Sequence, residues 1–309
     1  MRVVDLFAGC GGLSLGFEQQ GFNVVAAFEL WDAAIKCYEA NFTHPIFQVD
    51  LSDTQAAVQL IKEYRPDIII GGPPCQDFSH AGKRVEAKRA LLTDSYAEII
   101  SIIKPTCFVM ENVARAQKSN AYASARAIFK KAGYGLTEIV LDASLCGTPQ
   151  KRKRFFCFGM LGKEDGFALN SFTSRQAKKA MTLRDYFGES LGFEFYYRHP
   201  RNYNRRAVFS IDEPAPTMRG VNRPIPKGYK GHPGDPVPIS EVSHALTTED
   251  RAKIQTFPAT YEWTGSKTDI EQMIGNAVPC GLAKFVGERI KDYFDSRERT
   301  ELFQSSFRK

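Results

Sequence analysis

The chain has 309 residues, 43% hydrophobic and 25% charged. That composition excludes disorder and leaves room for one large α/β domain, or for a large domain with a smaller one. No apolar run approaches the roughly 18 residues of a membrane span, and MRVVDLFAG enters a strand pattern with no signal-peptide series, so a soluble, cytoplasmic protein without a membrane partner is expected. The net charge of +6 is concentrated: eight basic residues between Arg198 and Lys230 are opposed only by Asp212 and Glu213, which suggests a polyanionic partner, with a solvated basic surface as the alternative.

In chain order, strand candidates are RVVDLF, NVVAAFE, PDIIIGG, TCFVMENV, EIVLDASL and RFFCFGML, and segments of helical period such as DSYAEIISII and ASARAIFKKAGY lie between several of them. This alternation predicts βαβ units, hence an α/β fold with a mainly parallel sheet and helices on both faces. After about Phe172 the texture changes. Eight of the sixteen prolines fall between Pro200 and Pro238, among many glycines and arginines, which predicts a smaller, loop-rich second domain. GNAVPCGLAKFVGERIKDYF then reads as an amphipathic helix returning to the first domain, and DSRERTELFQSSFRK as a charged helix end or a frayed tail. The expected division is 1–172, 173–265 and 266–309.

VVDLFAGCGGLSLGF reads as strand, glycine-rich turn and helix. Gly9, Gly11 and Gly12 allow close backbone approach, and the new helix presents free N–H groups. The full dinucleotide fingerprint is absent. Glu29 closes the second strand about 20 residues on, where an acid accepts hydrogen bonds from ribose hydroxyls, and Asp50 ends IFQVD. Together they suggest a nucleoside cofactor with a cationic or neutral tail. S-adenosylmethionine fits, and a dinucleotide stays open.

GGPPCQDFS mounts Cys75 at the tip of a turn stiffened by two glycines and two prolines. None of the seven cysteines forms a C-x-x-C pair, and the five histidines lack ligand spacing to a cysteine pair. Disulfides and metal are therefore not expected. A rigid mount suits a nucleophile whose attack geometry has little tolerance. Cys10, Cys37, Cys107, Cys146, Cys157 and Cys280 read as inert and buried. In QKRKR, Arg152 and Arg154 alternate and can face one pocket while Lys151 and Lys153 point away, a solvated basic run being the alternative.

Taken together, DLFAGCGGLSLGF (5–17), GGPPCQDFS (71–79), MENV (110–113), QKRKR (150–154), ALTTEDRAKIQTFPATY (245–261) and GNAVP (275–279) resemble, in order, the motifs of the DNA cytosine-5 methyltransferases of the compact prokaryotic restriction–modification type. The resemblance covers residues 1–160 and about 243–294. It implies the Rossmann-like fold of S-adenosylmethionine-dependent methyltransferases, with 173–265 as a target recognition domain.

The resemblance implies catalytic roles for Cys75, Glu111, Arg152 and Arg154. Cys75 would add to C6 of cytosine as a thiolate, and Glu111 would donate a proton at N3, which requires a carboxyl titrating above its ordinary range. It implies S-adenosylmethionine contacts from Phe7, Gly9, Gly11, Gly12, Leu13, Glu29, Leu30, Trp31, Asp50, Leu51, Pro73, Leu92, Asn276 and Val278, with Leu30 or Trp31 covering the adenine. Because C5 is inaccessible inside a duplex, the base must be flipped out. HAGKRVEAKRALL reads as a mobile loop closing over double-stranded DNA through Ser79, Lys83 and Arg84. Arg205, Arg206, Thr217, Arg219 and Arg223 would contact DNA from the other side. A monomer and a separately acting restriction endonuclease are expected. The rivals are the same chemistry on transfer RNA and an inert nucleic-acid-binding relative.

Overall fold

The computed structural model describes residues 1–74, 83–200, 202, 204–242 and 244–306, and over 83–91 and 296–306 the backbone alone. The first half alternates as its sequence predicts: β1 (Arg2–Leu6), α1 (Gly12–Glu18), β2 (Asn23–Glu29), α2 (Asp32–Glu39), β3 (Ile46–Gln48), α3 (Thr54–Glu63) and β4 (Ile68–Gly71). Then come α4 (Lys83–Ile103), β5 (Cys107–Val113), α5 (Asn120–Lys131), β6 (Tyr134–Asp142), β7 (Gln150–Lys151) and β8 (Lys153–Leu161). Seven strands form one sheet in the order β3-β2-β1-β4-β5-β8-β6. Neighbours from β3 to β5 pair in parallel, and β8 runs antiparallel to both β5 and β6.

The central strands read VVDL, IIIG and CFVMENV because both faces are covered, and β-branched residues fit a pleated surface packed on each side. On one face Val3, Ile68, Ile70, Val109, Phe156 and Phe158 pack with Leu13 and Phe17 of α1. On the other, Leu6, Ile69, Phe108 and Met110 pack with Tyr96, Ile99 and Phe129 of α4 and α5. Each such side chain contributes about 1.5–3 kcal/mol of burial.

Three expectations need correction. β6 starts at Tyr134, four residues before EIVLDASL, and ends at Asp142, whose side chain accepts from Ser144 N and turns the chain into a short 3-10 helix. Most of HAGKRVEAKRALL is helix, because α4 begins at Lys83 and KRVEAKRALL is built of strong helix formers with no glycine or proline; residues 75–82 lie outside the described residues. GNAVP is not inside one helix.

Beyond β8 lie α6 (Leu169–Thr173), α7 (Leu183–Phe187), β9 (Phe195–Tyr197), β10 (Val208–Ser210), β11 (Ala215–Pro216), α8 (Thr248–Ile254), α9 (Lys267–Asn276) and α10 (Cys280–Ser306). GNAVP holds the end of α9 and, in residues 277–279, the break between α9 and α10. Leu183, Tyr196, Phe209, Ile211, Met218 and Leu246 make a small core separate from the sheet. Phe257, Tyr261 and Met273 pack instead on Cys10, Ala34, Cys37 and Tyr38. Among the described residues no helix is long and apolar enough to cross a membrane.

Candidate active site

The strand order reverses beside β1, where β2 lies on one side and β4 on the other. Ligands of open α/β sheets bind outside the carboxyl ends of the strands at such a point. A cavity of about 420 Å³ opens there, lined from the loops after β1, β2 and β4, the carboxyl end of β5, Arg154 of β8 and the α9–α10 break. Phe7, Gly9, Gly12, Leu13, Glu29, Trp31, Pro73, Asn276 and Val278 line it; Gly11, Leu30, Asp50, Leu51 and Leu92 do not.

Four of these five exceptions have a local reason. Leu30 is 55% exposed, whereas Trp31 turns inward. Asp50 accepts from the backbone and hydroxyl of Ser52 at 3.0 and 2.6 Å. Leu51 is buried among Phe28, Ala57 and Val58. Gly11, with φ near +85°, is the N-cap of α1.

Glu29 is held on the rim by the backbone N–H groups of Gly9 (2.8 Å), Leu30 (2.8 Å) and Trp31 (2.9 Å). Oε1 accepts two of these and Oε2 one, so Oε2 keeps a further acceptor site. Phe7 takes φ 58°, a conformation that costs a bulky residue energy and marks a turn fixed by its surroundings. Apolar walls from Phe7, Leu13, Trp31 and Val278, a carboxylate on the rim and a glycine turn fit a nucleoside with a cationic tail.

Glu111, near the carboxyl end of β5, lies on the same wall. In the β5–β8 register Arg154 sits opposite Val113 and so diagonal to Glu111 on one face. Arg154 Nε lies 2.9 Å from Glu111 Oε1. Burial pushes the Glu111 carboxyl above its usual range, against the charges of Arg154 and Arg152, which pull it down. A buried acid with a fixed orientation can deliver a proton. Asn112 is also buried and donates to Pro73 O at 3.0 Å, tying the end of β5 to Gly72–Pro74, which lead into position 75. Cys75 and Ser79 lie outside the described residues. The other six cysteines are buried; burial raises Cys146 and Cys157 to about 12, which makes them poor thiolates.

Arg152 departs from the expectation that it shares a pocket with Arg154. It is 1% exposed, and its guanidinium donates to Met218 O (2.8 Å), Gly275 O (2.8 Å) and Ala277 O (3.0 Å). Gln150, two residues earlier, donates to Gln255 Oε1 at 2.7 Å and accepts from Met218 N at 2.9 Å. Sequence reasoning missed Gln150 and Gln255, although both sit inside the quoted motifs. β11 pairs in parallel with β7, and Thr217 Oγ1 donates to Lys151 O at 2.7 Å. The segment after β11 is thus fastened beside the α9–α10 break, so tightly that a Cβ on Gly275 would overlap the backbone of Gly220.

The description C-5 cytosine-specific DNA methylase matches residues 1–292. The chain belongs to that family. This methylase is an enzyme, a DNA (cytosine-5-)-methyltransferase. It is 55% identical over 296 residues to the type II methyltransferase M.HindV of Haemophilus influenzae, covering 95% of this chain and 97% of the relative. It is 51% identical over 303 residues to the type II methyltransferase M.HgiDI of Herpetosiphon aurantiacus, covering 98% of each. The solved structure of the Entamoeba histolytica methyltransferase EhMeth shares the fold, with a TM-score of 0.70 at 20% identity over 96% of this chain and 98% of that one.

In the methylase, the arginines expected at DNA divide into two groups. Arg206 is neutralised by both carboxylate oxygens of Glu213 and lies 4.5 Å over the Phe209 ring. Arg219 is partly buried and donates to His199 O at 2.7 Å. Arg205 and Arg223 are exposed. For Lys83 and Arg84 the backbone alone is described, in α4. Of the two acids that oppose the basic segment, Asp212 pairs with Arg184 and Glu213 with Arg206.

Proposed function

We propose that the methylase transfers the methyl group of S-adenosylmethionine to C5 of a cytosine flipped out of duplex DNA within a short specific sequence, with Cys75 as nucleophile. The observation that carries this reading is a single cavity on which the glycine turn, the Pro73–Pro74 turn held by Asn112 and the buried Glu111–Arg154 pair all converge. Trp31, on the cavity wall where Leu30 faces solvent, is the side chain we assign to cover the adenine, and Glu29 Oε2 is assigned to a ribose hydroxyl.

C5 of cytosine is a poor nucleophile. Addition of the Cys75 thiolate to C6 forms an S–C6 bond and pushes electron density onto C5 and N3. Glu111, whose burial favours the protonated form, gives its proton to N3, and Arg154 holds the carboxyl in register. S-adenosylmethionine supplies an electrophilic methyl group when bound. Cys75 departs as C5 gives up its proton to solvent and N3 returns its proton to Glu111, which restores the aromatic ring. Arg152 is a positioning residue that joins the QKRKR strand to the segment carrying Thr217 and Arg219.

Residues 173–265 serve, in this reading, as the target recognition domain, with 266–309 returning to the catalytic domain. Arg205, Arg223 and, from α4, Lys83 and Arg84 reach phosphates or base edges. The type II names of the relatives support a role in shielding DNA from a separate endonuclease; a cytoplasmic monomer is part of the same reading.

The test is incorporation of a tritiated methyl group into duplex DNA, with transfer RNA as control, followed by nucleoside analysis. 5-Methyldeoxycytidine from DNA alone is expected, and Trp31→Ala should weaken cofactor binding where Leu30→Ala does not. Label in RNA alone would overturn the choice of substrate.

A further inference from the structure

Asp5, on β1 beneath the glycine turn, is 0% exposed. Ser14 Oγ lies 2.7 Å from Asp5 Oδ2, while Oδ1 has no hydrogen-bond partner among the described residues. Tyr38 OH lies 2.7 Å from Ser14 Oγ and 2.7 Å from His44 Nε2. His44 Nδ1 lies 3.3 Å from Glu18 Oε1. Five side chains from β1, α1, α2 and the loop before β3 thus form one line of polar atoms. It runs from the floor of the cofactor turn to the partly exposed Glu18.

The donors and acceptors of this line allow two complete arrangements, each with the Nδ1–H of His44 directed at Glu18. In one, Asp5 is ionised and accepts from Ser14, which accepts from Tyr38, which accepts from a doubly protonated His44. In the other, Asp5 carries a proton and donates to Ser14, Ser14 donates to Tyr38, and Tyr38 donates to the bare Nε2 of neutral His44. The two differ by one proton passed along the line. The His44 Nε2–H bond breaks as a Tyr38 O–H bond forms, the Tyr38 and Ser14 hydroxyl protons each move one place, and the last reaches Asp5 Oδ2. Net charge is unchanged, and each heteroatom keeps its partner.

We propose that this line is a proton relay by which the methylase reads the charge of its bound cofactor, ionising Asp5 under the cationic methyl donor and protonating it under the neutral product. The proposal rests on the reading of the cavity as an S-adenosylmethionine site. Glu29, on the cavity rim, is near enough for its charge to raise Asp5, so a positive charge in that cavity acts on Asp5 with the opposite sign. Burial, opposed by the bonds to Ser14, brings the carboxyl to about 7, where a modest field changes its state. Tyr38 and Tyr96 also face it, Glu29 is the acid that acts on it, and Glu18 acts on Tyr38 further along the line. No lysine or arginine pairs with it among the described residues. Asp5 thereby favours the donor over the spent product and aids exchange between them.

The test is nitrogen NMR of histidine-labelled protein at neutral pH, saturated with S-adenosylmethionine, with its amine analogue sinefungin, or with S-adenosylhomocysteine, binding of each being verified by calorimetry. His44 Nε2 is expected to be protonated with the two cations and bare with the neutral product. Tyr38→Phe, whose ring keeps its stack on Phe42 at 4.1 Å, is expected to abolish the difference. Asp5→Asn is expected to shift the affinity ratio about tenfold against the donor. The same His44 signal in all three complexes would overturn the relay. Failure of the three ligands to bind would instead overturn the cofactor reading, and the relay with it.

Discussion

At the scale of single residues the proposed chemistry depends on a carboxyl whose burial favours its protonated form. Glu111 is raised by burial more than Arg154 and Arg152 lower it. A carboxyl raised in the folded state contributes stability that is fully present below its ordinary range and is lost as pH rises through the folded value. Its donor function should be lost over the same interval. Glu111→Gln is expected to lower kcat by about 10²-fold or more while leaving cofactor affinity close to wild type. The falling alkaline limb of the kcat/KM profile should disappear in that variant. A Gln variant retaining both the rate and the limb would remove Glu111 from the chemistry. Glu111 and Arg154 were legible in the sequence because strand alternation and short motifs carry them. The bond from Asn112 to Pro73 O was not, because it joins β5 to the turn after β4, whose neighbourhood no local pattern encodes.

Among the elements, the α9–α10 break and β7 are the joints of the molecule. GNAVP read as part of a helix because its neighbours have helical period; Pro279, which cannot continue the ladder, ends that run and lets Ala277 turn its carbonyl toward Arg152 and Gln255. One guanidinium holding four carbonyls from two segments cannot be replaced by an ammonium, which lacks the planar fork. Arg152→Lys is therefore expected to destabilise the fold by about 3 kcal/mol and lower the melting temperature. It should raise KM for DNA more than it lowers cofactor affinity, since the segment it releases carries Thr217 and Arg219. Equal losses of DNA and cofactor binding would indicate general unfolding instead. The parallel sheet was readable in advance from its β-branched runs. β9, β10 and β11 were not, because strands of two or three residues have no period to detect, and their register is set by long-range bonds such as Thr217 to Lys151 O.

For the whole molecule, the sequence located an excess of positive charge but could not sort it. The structure divides it by partner: Arg206 is spent on Glu213, while Arg205 and Arg223 face solvent. Arg223→Ala is expected to reduce the salt dependence of DNA binding by about one unit of log–log slope. Arg206→Ala should leave the slope nearly unchanged and lower the melting temperature, because it strands Glu213. The reverse pattern would move the DNA-facing surface to the Arg206 side. The central claim is that Cys75 attacks a cytosine in DNA, and the most direct measurement is covalent trapping. Protein, S-adenosylmethionine and duplex DNA carrying 5-fluorocytosine in random sequence are mixed and run on a denaturing gel, with matched RNA and Cys75→Ala beside them. Because fluorine does not leave as a proton does, a stable protein–DNA adduct is predicted for the wild type, absent with RNA and absent in Cys75→Ala. An adduct that persists in Cys75→Ala, or one that forms on RNA alone, would contradict the account.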